Sequence, residues 1–211
     1  LGLTRYETAW AMLQKLRRAM VAPVMERITG AVEVDETNVG GVEEGHRAGR
    51  RCEGKQAIVV GAVEIRGKGS GRLCLGVVAD GSARSLREFV DASVEPGSAL
   101  VTDDRKGYVI PGDFYGVDSP ARPALATTQQ ASGIAAKRLP RIRRVFSNLK
   151  TWLRNTHPGV RSKHLPRYVD EFVFRFNRHR TPMVAFRSLL RLTTQYSPTF
   201  YRELYHAEAT G

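Results

Sequence analysis

Residues 57–63 form an uninterrupted apolar segment, Ala-Ile-Val-Val-Gly-Ala-Val, in the first half of the chain. A strand that is covered on one face alternates apolar and polar side chains, whereas a strand covered on both faces is apolar throughout. The glycine-containing sequence 68–71 follows it and is typical of a turn. We therefore predict a strand over 56–66 that lies in the interior of the fold.

The neighbouring segments predict a mixed α/β fold. Further strands are predicted over 31–39, 72–80 and 99–103, and a helix over 83–94, capped by Ser82, separates the last two. The first three strands form an antiparallel meander, and the helix then crosses to a parallel fourth strand. This order, β-β-β-α-β, is that of an RNase H-like mixed sheet, to which flanking and C-terminal helices are added.

Helical periodicity is present at both ends of the chain. A helix is predicted over 3–21, with Thr4 as its N-cap and Glu7 three residues later. Its start resembles the second helix of a helix-turn-helix, and a simple packing helix is the alternative. Residues 105–136 contain no clear element. Beyond them, helical spacing of apolar residues predicts helices over 138–156, 163–179 and 182–193.

These elements predict three regions: an N-terminal helical segment at 1–29, an RNase H-like domain at 30–195 and a C-terminal tail at 196–211. The chain begins at Leu1 without a methionine, inside a helical pattern, so we expect a fragment of a longer protein. No apolar run approaches the ~20 residues of a membrane-spanning helix. The two cysteines form neither a zinc motif nor a disulfide framework, which fits a reducing cytoplasm.

Positive charge is concentrated in the C-terminal half. The chain has a formal net charge of +12, and residues 137–191 contain 15 Lys and Arg against only Asp170 and Glu171. Clustered cations gain affinity for a polyanion by releasing counterions from its phosphates. The segment therefore indicates a nucleic-acid partner, and a solvated basic face is the alternative.

Asp35 and Asp103 each end an apolar, strand-like segment. Alternation of side chains places Asp35 on the same face of its strand as Glu33, opposite Val32 and Val34. The predicted topology brings the first and fourth strands together, so the two carboxylates would repel unless a cation lies between them. Two divalent ions about 3.5–4 Å apart could then support phosphoryl chemistry. The alternative is that each is a turn-forming residue; Asp104 is the fallback for the second position, and Asp80 is a weaker candidate.

Short sequence blocks in a fixed order carry a family resemblance over nearly the whole chain. They are Val32–Thr37 with Gly40-Gly41, Gly61–Glu64, Thr102-Asp103, Asn148–Leu153 and Asp170–Arg178. Together they resemble the bacterial insertion-sequence transposases of the ISXO-like group. The resemblance implies an RNase H-like catalytic domain with a DDE-type triad and two Mg²⁺ or Mn²⁺ ions. Its first two members would be Asp35 and Asp103, which would also be the metal ligands.

The third member of the triad departs from the family pattern. The family places it seven residues before a helical lysine that corresponds to Lys150, and Arg143 occupies that position here. Arginine stays protonated and offers no lone pair to a metal. Asn148 is the alternative ligand. Arg144, Lys150 and Arg154 fall near one side of the same helix, where they are expected to contact a phosphate backbone.

Three functions are consistent with these features. The first is a transposase catalytic domain that cleaves DNA and joins strands at insertion-element ends, as a homo-oligomer bound to DNA in the cytoplasm, associated with the nucleoid. The second is a catalytically impaired DNA-binding remnant of such a transposase, because Arg143 replaces a ligand. The third is a basic RNA-binding or ribosome-associated protein, which leaves the carboxylate pair unexplained.

Overall fold

A computed structural model describes Gly2 and residues 4–21, 27–40, 56–102, 116–117, 139–158, 160 and 162–195. The chain divides into two compact units. A sheet-containing unit comprises Met25–Ser162, and a helical unit comprises Leu1–Val24 together with Lys163–Gly211. The predicted domain boundaries at 29/30 and 195/196 stay predictions. None of the helices within the described ranges has the length and apolar character of a transmembrane helix.

The described part of the sheet-containing unit has a five-stranded mixed sheet in the order β3-β2-β1-β4-β5. The first three strands form an antiparallel meander, β4 lies parallel to β1, and β5 lies parallel to β4. This arrangement confirms the predicted RNase H-like α/β fold. The strands are β1 (Ala31–Val39), β2 (Ala57–Arg66), β3 (Gly69–Val78), β4 (Ala99–Val101) and β5 (Gly116–Val117).

The main differences between the sheet and the sequence prediction concern β3 and β5. β3 begins at Gly69 and not at residue 72, because the hairpin turns within Gly67 and Lys68, where Gly67 has a φ of 52° that favours glycine. β5 lies inside 105–136, where no element was predicted. A strand of two residues is too short to produce a detectable period in the sequence.

Helices cover both faces of the sheet. α2 (Ala83–Ser93) follows the predicted cap, since the backbone N–H of Ser85 donates to Ser82 Oγ at 3.3 Å. α3 (Pro140–Thr156) lies on the other face. The core under α2 includes Val32, Val34, Val60, Ala62, Leu86 and Val90, and the buried side of α3 consists of Ile142, Val145, Phe146, Leu149 and Leu153.

The helical unit contains α1 (Tyr6–Met20), α4 (Leu165–Arg178) and α5 (Pro182–Thr193) within the described residues. The predicted cap of α1 was wrong: the helix begins at Tyr6, with Arg5 at its N-cap, and no side chain caps it. Glu7 therefore lies in the first turn of α1, where a negative charge interacts favourably with the helix dipole, and it is not the partner of a Thr4 cap. The two C-terminal helices, α4 and α5, confirm the helical prediction for their part of the chain.

Candidate active site

Glu33 on β1 anchors the beginning of α3. Its side chain is 1% exposed, and its Oε2 accepts hydrogen bonds from the backbone N–H groups of Arg141 and Ile142 at 2.8 and 2.9 Å. The N-cap residue of α3, Leu139, makes no such bond. Glu33 therefore satisfies two N–H groups that a helix start leaves without an intrahelical acceptor, and its negative charge favours this end of the helix dipole.

Arg141 ties the same helix end to the β2–β3 hairpin. Its Nη1 donates to Glu33 Oε1 at 2.9 Å, its Nε donates to the carbonyl of Gly69 at 2.8 Å, and its Nη2 donates to the carbonyl of Gly67 at 2.6 Å. One side chain thus joins β1, the hairpin and α3. The start of α3 is consequently fixed relative to the central strand.

Asp35 lies two residues beyond Glu33 and faces the same helix. As predicted, it lies on the opposite face of β1 from Val32 and Val34, and it is 4% exposed. Its Oδ1 accepts a hydrogen bond from the backbone N–H of Glu36 at 3.0 Å. Its Oδ2 lies 3.6 Å from Nε of Arg143, whose side chain is 35% exposed.

The structure therefore brings the first predicted ligand and the residue at the third triad position into an ion pair. The guanidinium of Arg143 supplies a positive charge beside a buried carboxylate, which is otherwise costly to keep in a protein interior. The sequence analysis predicted neither the ion pair between Arg143 and Asp35 nor the anchoring role of Glu33. The alternation of side chains along β1 places Glu33 on the same face as Asp35, and this pattern could have indicated that Glu33 also faces α3.

Gly61 on β2 allows α3 to approach the sheet at this point. It is the Cα partner of Asp35 across the β1–β2 ladder. A Cβ atom at this position would lie 2.7 Å from Ile142 Cδ1 and 2.7 Å from Leu75 Cδ2, closer than side chains tolerate. The missing side chain thus makes room for the helix that carries Arg143.

The other predicted ligands either lie outside the described residues or lie elsewhere in the structure. Asp103 and Asp104 lie outside the described residues, so their predicted role stays a prediction. Asn148 is exposed on α3. Asp80, a weaker candidate for a ligand, stabilises the start of α2, since its Oδ1 accepts hydrogen bonds from Ser82 N and Ser85 Oγ at 3.0 and 2.7 Å. Hydrogen bonds from the side chains of Ser82 and Ser85 and from the Ser82 backbone lower the pKa of its carboxyl to about 2.

The side chain of Asp35 is of a type that can bind a cation, whereas that of Arg143, at the third position of the triad, is not. The carboxylate of Asp35 is buried and is accompanied by the positive charge of the Arg143 guanidinium. Arg143 itself cannot coordinate a metal. In the described ranges, no group of three His, Cys, Asp or Glu side chains has an arrangement that could hold one.

The outer surface of α3 is basic. Arg144, Lys150 and Arg154 are all exposed, whereas the apolar side of the helix packs against the sheet. Exposed cations spaced along one helix are suited to contact successive phosphates of a nucleic-acid backbone. α3 therefore carries Arg143 beside the buried carboxylate and presents cations to solvent.

Comparison with known protein families gives one match. The family model described as the ISXO2-like transposase domain matches residues 27–177, which include all five described strands, α2, α3 and most of α4. No curated protein matches the chain, and no solved structure does. Because the match spans well over half of the sequence and the sheet has the expected order, the chain belongs to the ISXO2-like transposase domain family.

Proposed function

We propose that the chain binds DNA through α3 and cleaves phosphodiesters at Asp35 and Asp103. Membership of a transposase family implies DNA transposition, with DNA as the partner. The observation that carries the proposal is the position of Asp35, which lies on the central strand beneath the helix whose outer surface is basic. A reacting phosphate and the rest of the polymer would then contact the same region.

The β1–β4 register supports Asp103 as the second carboxylate. The two strands pair in parallel, and the last pair is Glu33 with Val101. Asp35 lies two residues beyond Glu33 in the sequence, and Asp103 lies two residues beyond Val101. The equal spacing is what two carboxylates on neighbouring parallel strands require, and in the structure Asp35 lies within β1 and not at its end.

Asp35 and Asp103 would hold Mg²⁺ or Mn²⁺, which supplies positive charge that activates a water and stabilises the leaving oxygen. In the cleavage we propose, the water oxygen forms a bond to phosphorus and the bond from phosphorus to the 3′ oxygen breaks, leaving a 3′-hydroxyl and a 5′-phosphate. In strand transfer, the oxygen of that hydroxyl forms a bond to a phosphorus of the target DNA. The bond from this phosphorus to its 3′ oxygen breaks, which leaves a 3′-hydroxyl on the target strand. Glu33 and Arg141 contribute by fixing α3 over the central strand.

We further propose that the chain acts as a homo-oligomer on DNA, in the cytoplasm and associated with the nucleoid. Large apolar side chains of α5 support a protein partner: Met183, Val184, Phe186 and Leu190 are each about half exposed or more. Apolar surface of this kind is characteristic of interaction sites. Sedimentation of the protein with and without a DNA end tests this part of the proposal.

DNA binding is tested by fluorescence anisotropy over a range of salt concentrations. Replacing Lys150 and Arg154 by Gln should lower the slope of log K against log salt by about 2, at about 0.9 for each phosphate contact. Arg84→Gln with Arg87→Gln is the matched control, since it removes two exposed charges from α2, on the opposite face of the sheet. An equal decrease of the salt slope in both double variants would contradict binding through α3.

Cleavage is tested by nicking of supercoiled plasmid in Mn²⁺. We expect the native chain to nick, Asp35→Asn to be inactive, and Arg143→Glu, which restores the carboxylate of the family pattern, to be faster. Nicking by Arg143→Glu alone would indicate a transposase that one substitution has disabled. DNA binding without nicking by any of the three would favour the alternative function, a DNA-binding remnant.

A further inference from the structure

We propose that Arg143 competes with divalent metal ions for Asp35 and thereby lowers the metal affinity of the site. The guanidinium acts as an internal counter-ion that occupies the carboxylate in the absence of a metal. This inference rests on the proposed function in one respect, because it takes Asp35 as a metal ligand. It goes beyond that function by assigning Arg143 a measurable effect on metal binding.

The two oxygens of Asp35 have different surroundings. Oδ1 accepts a hydrogen bond from the backbone N–H of Glu36, the next residue of the same strand. Oδ2 faces α3 and lies 3.6 Å from Nε of Arg143. A metal ion that bound Asp35 from the α3 side would therefore meet the guanidinium at the same oxygen.

The competition follows from electrostatics. A buried carboxylate requires a positive partner, and either a guanidinium or a metal ion can provide the charge. The two cations repel each other at contact distance, most strongly where water is scarce. Binding of a metal ion therefore requires that Arg143 leave Asp35, and the lost ion-pair energy is subtracted from the affinity for the metal.

Arg143 can leave Asp35 without movement of the helix. The start of α3 is held by the hydrogen bonds of Arg141 to Glu33, Gly67 and Gly69. The side chain of Arg143 is about one third exposed, and we expect a change of rotamer to take its charge into solvent. The exchange between guanidinium and metal is consequently local and reversible.

The experiment measures Mn²⁺ binding directly, by the electron paramagnetic resonance of free Mn²⁺, and thermal unfolding with and without Mn²⁺. It compares the native chain with Arg143→Met, which removes the charge and adds no oxygen ligand. Arg144→Met is the matched control, since the adjacent arginine is exposed on the same helix. Asp35→Asn identifies binding at the site itself.

We expect Arg143→Met to bind Mn²⁺ at least about tenfold more tightly than the native chain, which corresponds to about 1.4 kcal/mol. Its melting temperature should be lower without metal and should rise more steeply with Mn²⁺, because binding to the folded state stabilises it. Arg144→Met should retain the native affinity. Asp35→Asn, added to Arg143→Met, should remove the gain.

Two results would overturn the inference, and they have different consequences. Equal Mn²⁺ affinity of the native chain and Arg143→Met, with binding lost in Asp35→Asn, would leave the proposed metal site standing and exclude competition. Absence of Asp35-dependent binding in all variants would also remove Asp35 as a metal ligand. If Arg143→Met does not fold, Arg143→Ala provides the same comparison, because it also removes the charge without adding an oxygen ligand.

Discussion

Gly61 on β2 and Asp35 on β1 are direct neighbours across the antiparallel ladder, and both face α3. The glycine makes room for the helix, and the helix carries the arginine that contacts the aspartate. Packing and electrostatics are therefore coupled at this site. A change in the distance between α3 and the sheet would also change the charge that surrounds Asp35.

Gly61→Ala is expected to destabilise the fold by about 1–3 kcal/mol, the usual cost of overpacking a well-packed core. The added Cβ would meet Ile142 Cδ1 and Leu75 Cδ2 at 2.7 Å, so α3 or the side chains must shift. Urea unfolding measures the effect. Gly81→Ala is the control, since its nearest contact would be Ile58 Cδ1 at 3.7 Å. Similar stability of both variants would contradict a close approach at Gly61.

Glu33→Ala is expected to cost about 2–4 kcal/mol of the free energy of unfolding, because it removes a buried charge partner and a helix cap together. Arg141→Ala should cost less, since Glu33 would keep its bonds to the backbone N–H groups of α3. Chemical denaturation of the single and double variants gives the coupling energy. Glu88→Ala, which removes an exposed ion pair on α2, should cost less than about 1 kcal/mol.

Glu171→Gln is expected to destabilise the helical unit by about 3–5 kcal/mol, because it leaves a buried arginine without its charge partner. Glu171 Oε2 lies 2.6 Å from Nε of Arg17, and their side chains are 7% and 1% exposed. Thermal unfolding followed by circular dichroism measures the loss. Arg175 contacts the other oxygen of Glu171 from the surface, so Arg175→Gln should have little effect. Equal losses of stability in Glu171→Gln and Arg175→Gln would show that burial does not determine the cost of breaking an ion pair here.

Stability should depend on pH through Asp170, whose pKa burial raises to about 6 although Arg167 opposes the shift. The folded state favours the protonated form, so this contribution is complete below the unfolded pKa near 3.8 and is lost as pH rises through about 6. Asp170→Asn should therefore be more stable than the native chain at pH 7.5, by about 1–2 kcal/mol after allowance for partial exposure.

The measurement for Asp170 is the free energy of urea unfolding between pH 4 and pH 7.5. The advantage of Asp170→Asn should shrink as the pH falls below 6. Asp91→Asn removes the same charge from the exposed surface of α2 and serves as the control. A constant difference between Asp170→Asn and the native chain across this range would contradict a raised pKa.

The predicted fold depended on strong local patterns, and these were confirmed. The apolar segment 57–63 is a strand inside the sheet, and alternation along β1 placed Glu33 and Asp35 on one side. Apolar spacing over 182–193 matched α5 to the residue. Short features were predicted poorly: the cap of α1 was misplaced, and the two residues of β5 were missed.

The sequence by itself determined the order of the first four strands and of the described α-helices, the family blocks and the presence of an arginine at the third triad position. Only the tertiary structure decided what that arginine contacts. Asp35 and Arg143 are more than a hundred residues apart in the sequence, and no local period relates a strand to a helix at that separation. Their distance follows from the folded sheet, from Gly61 beneath α3 and from the bonds of Glu33 and Arg141, because these long-range contacts fix where the helix lies.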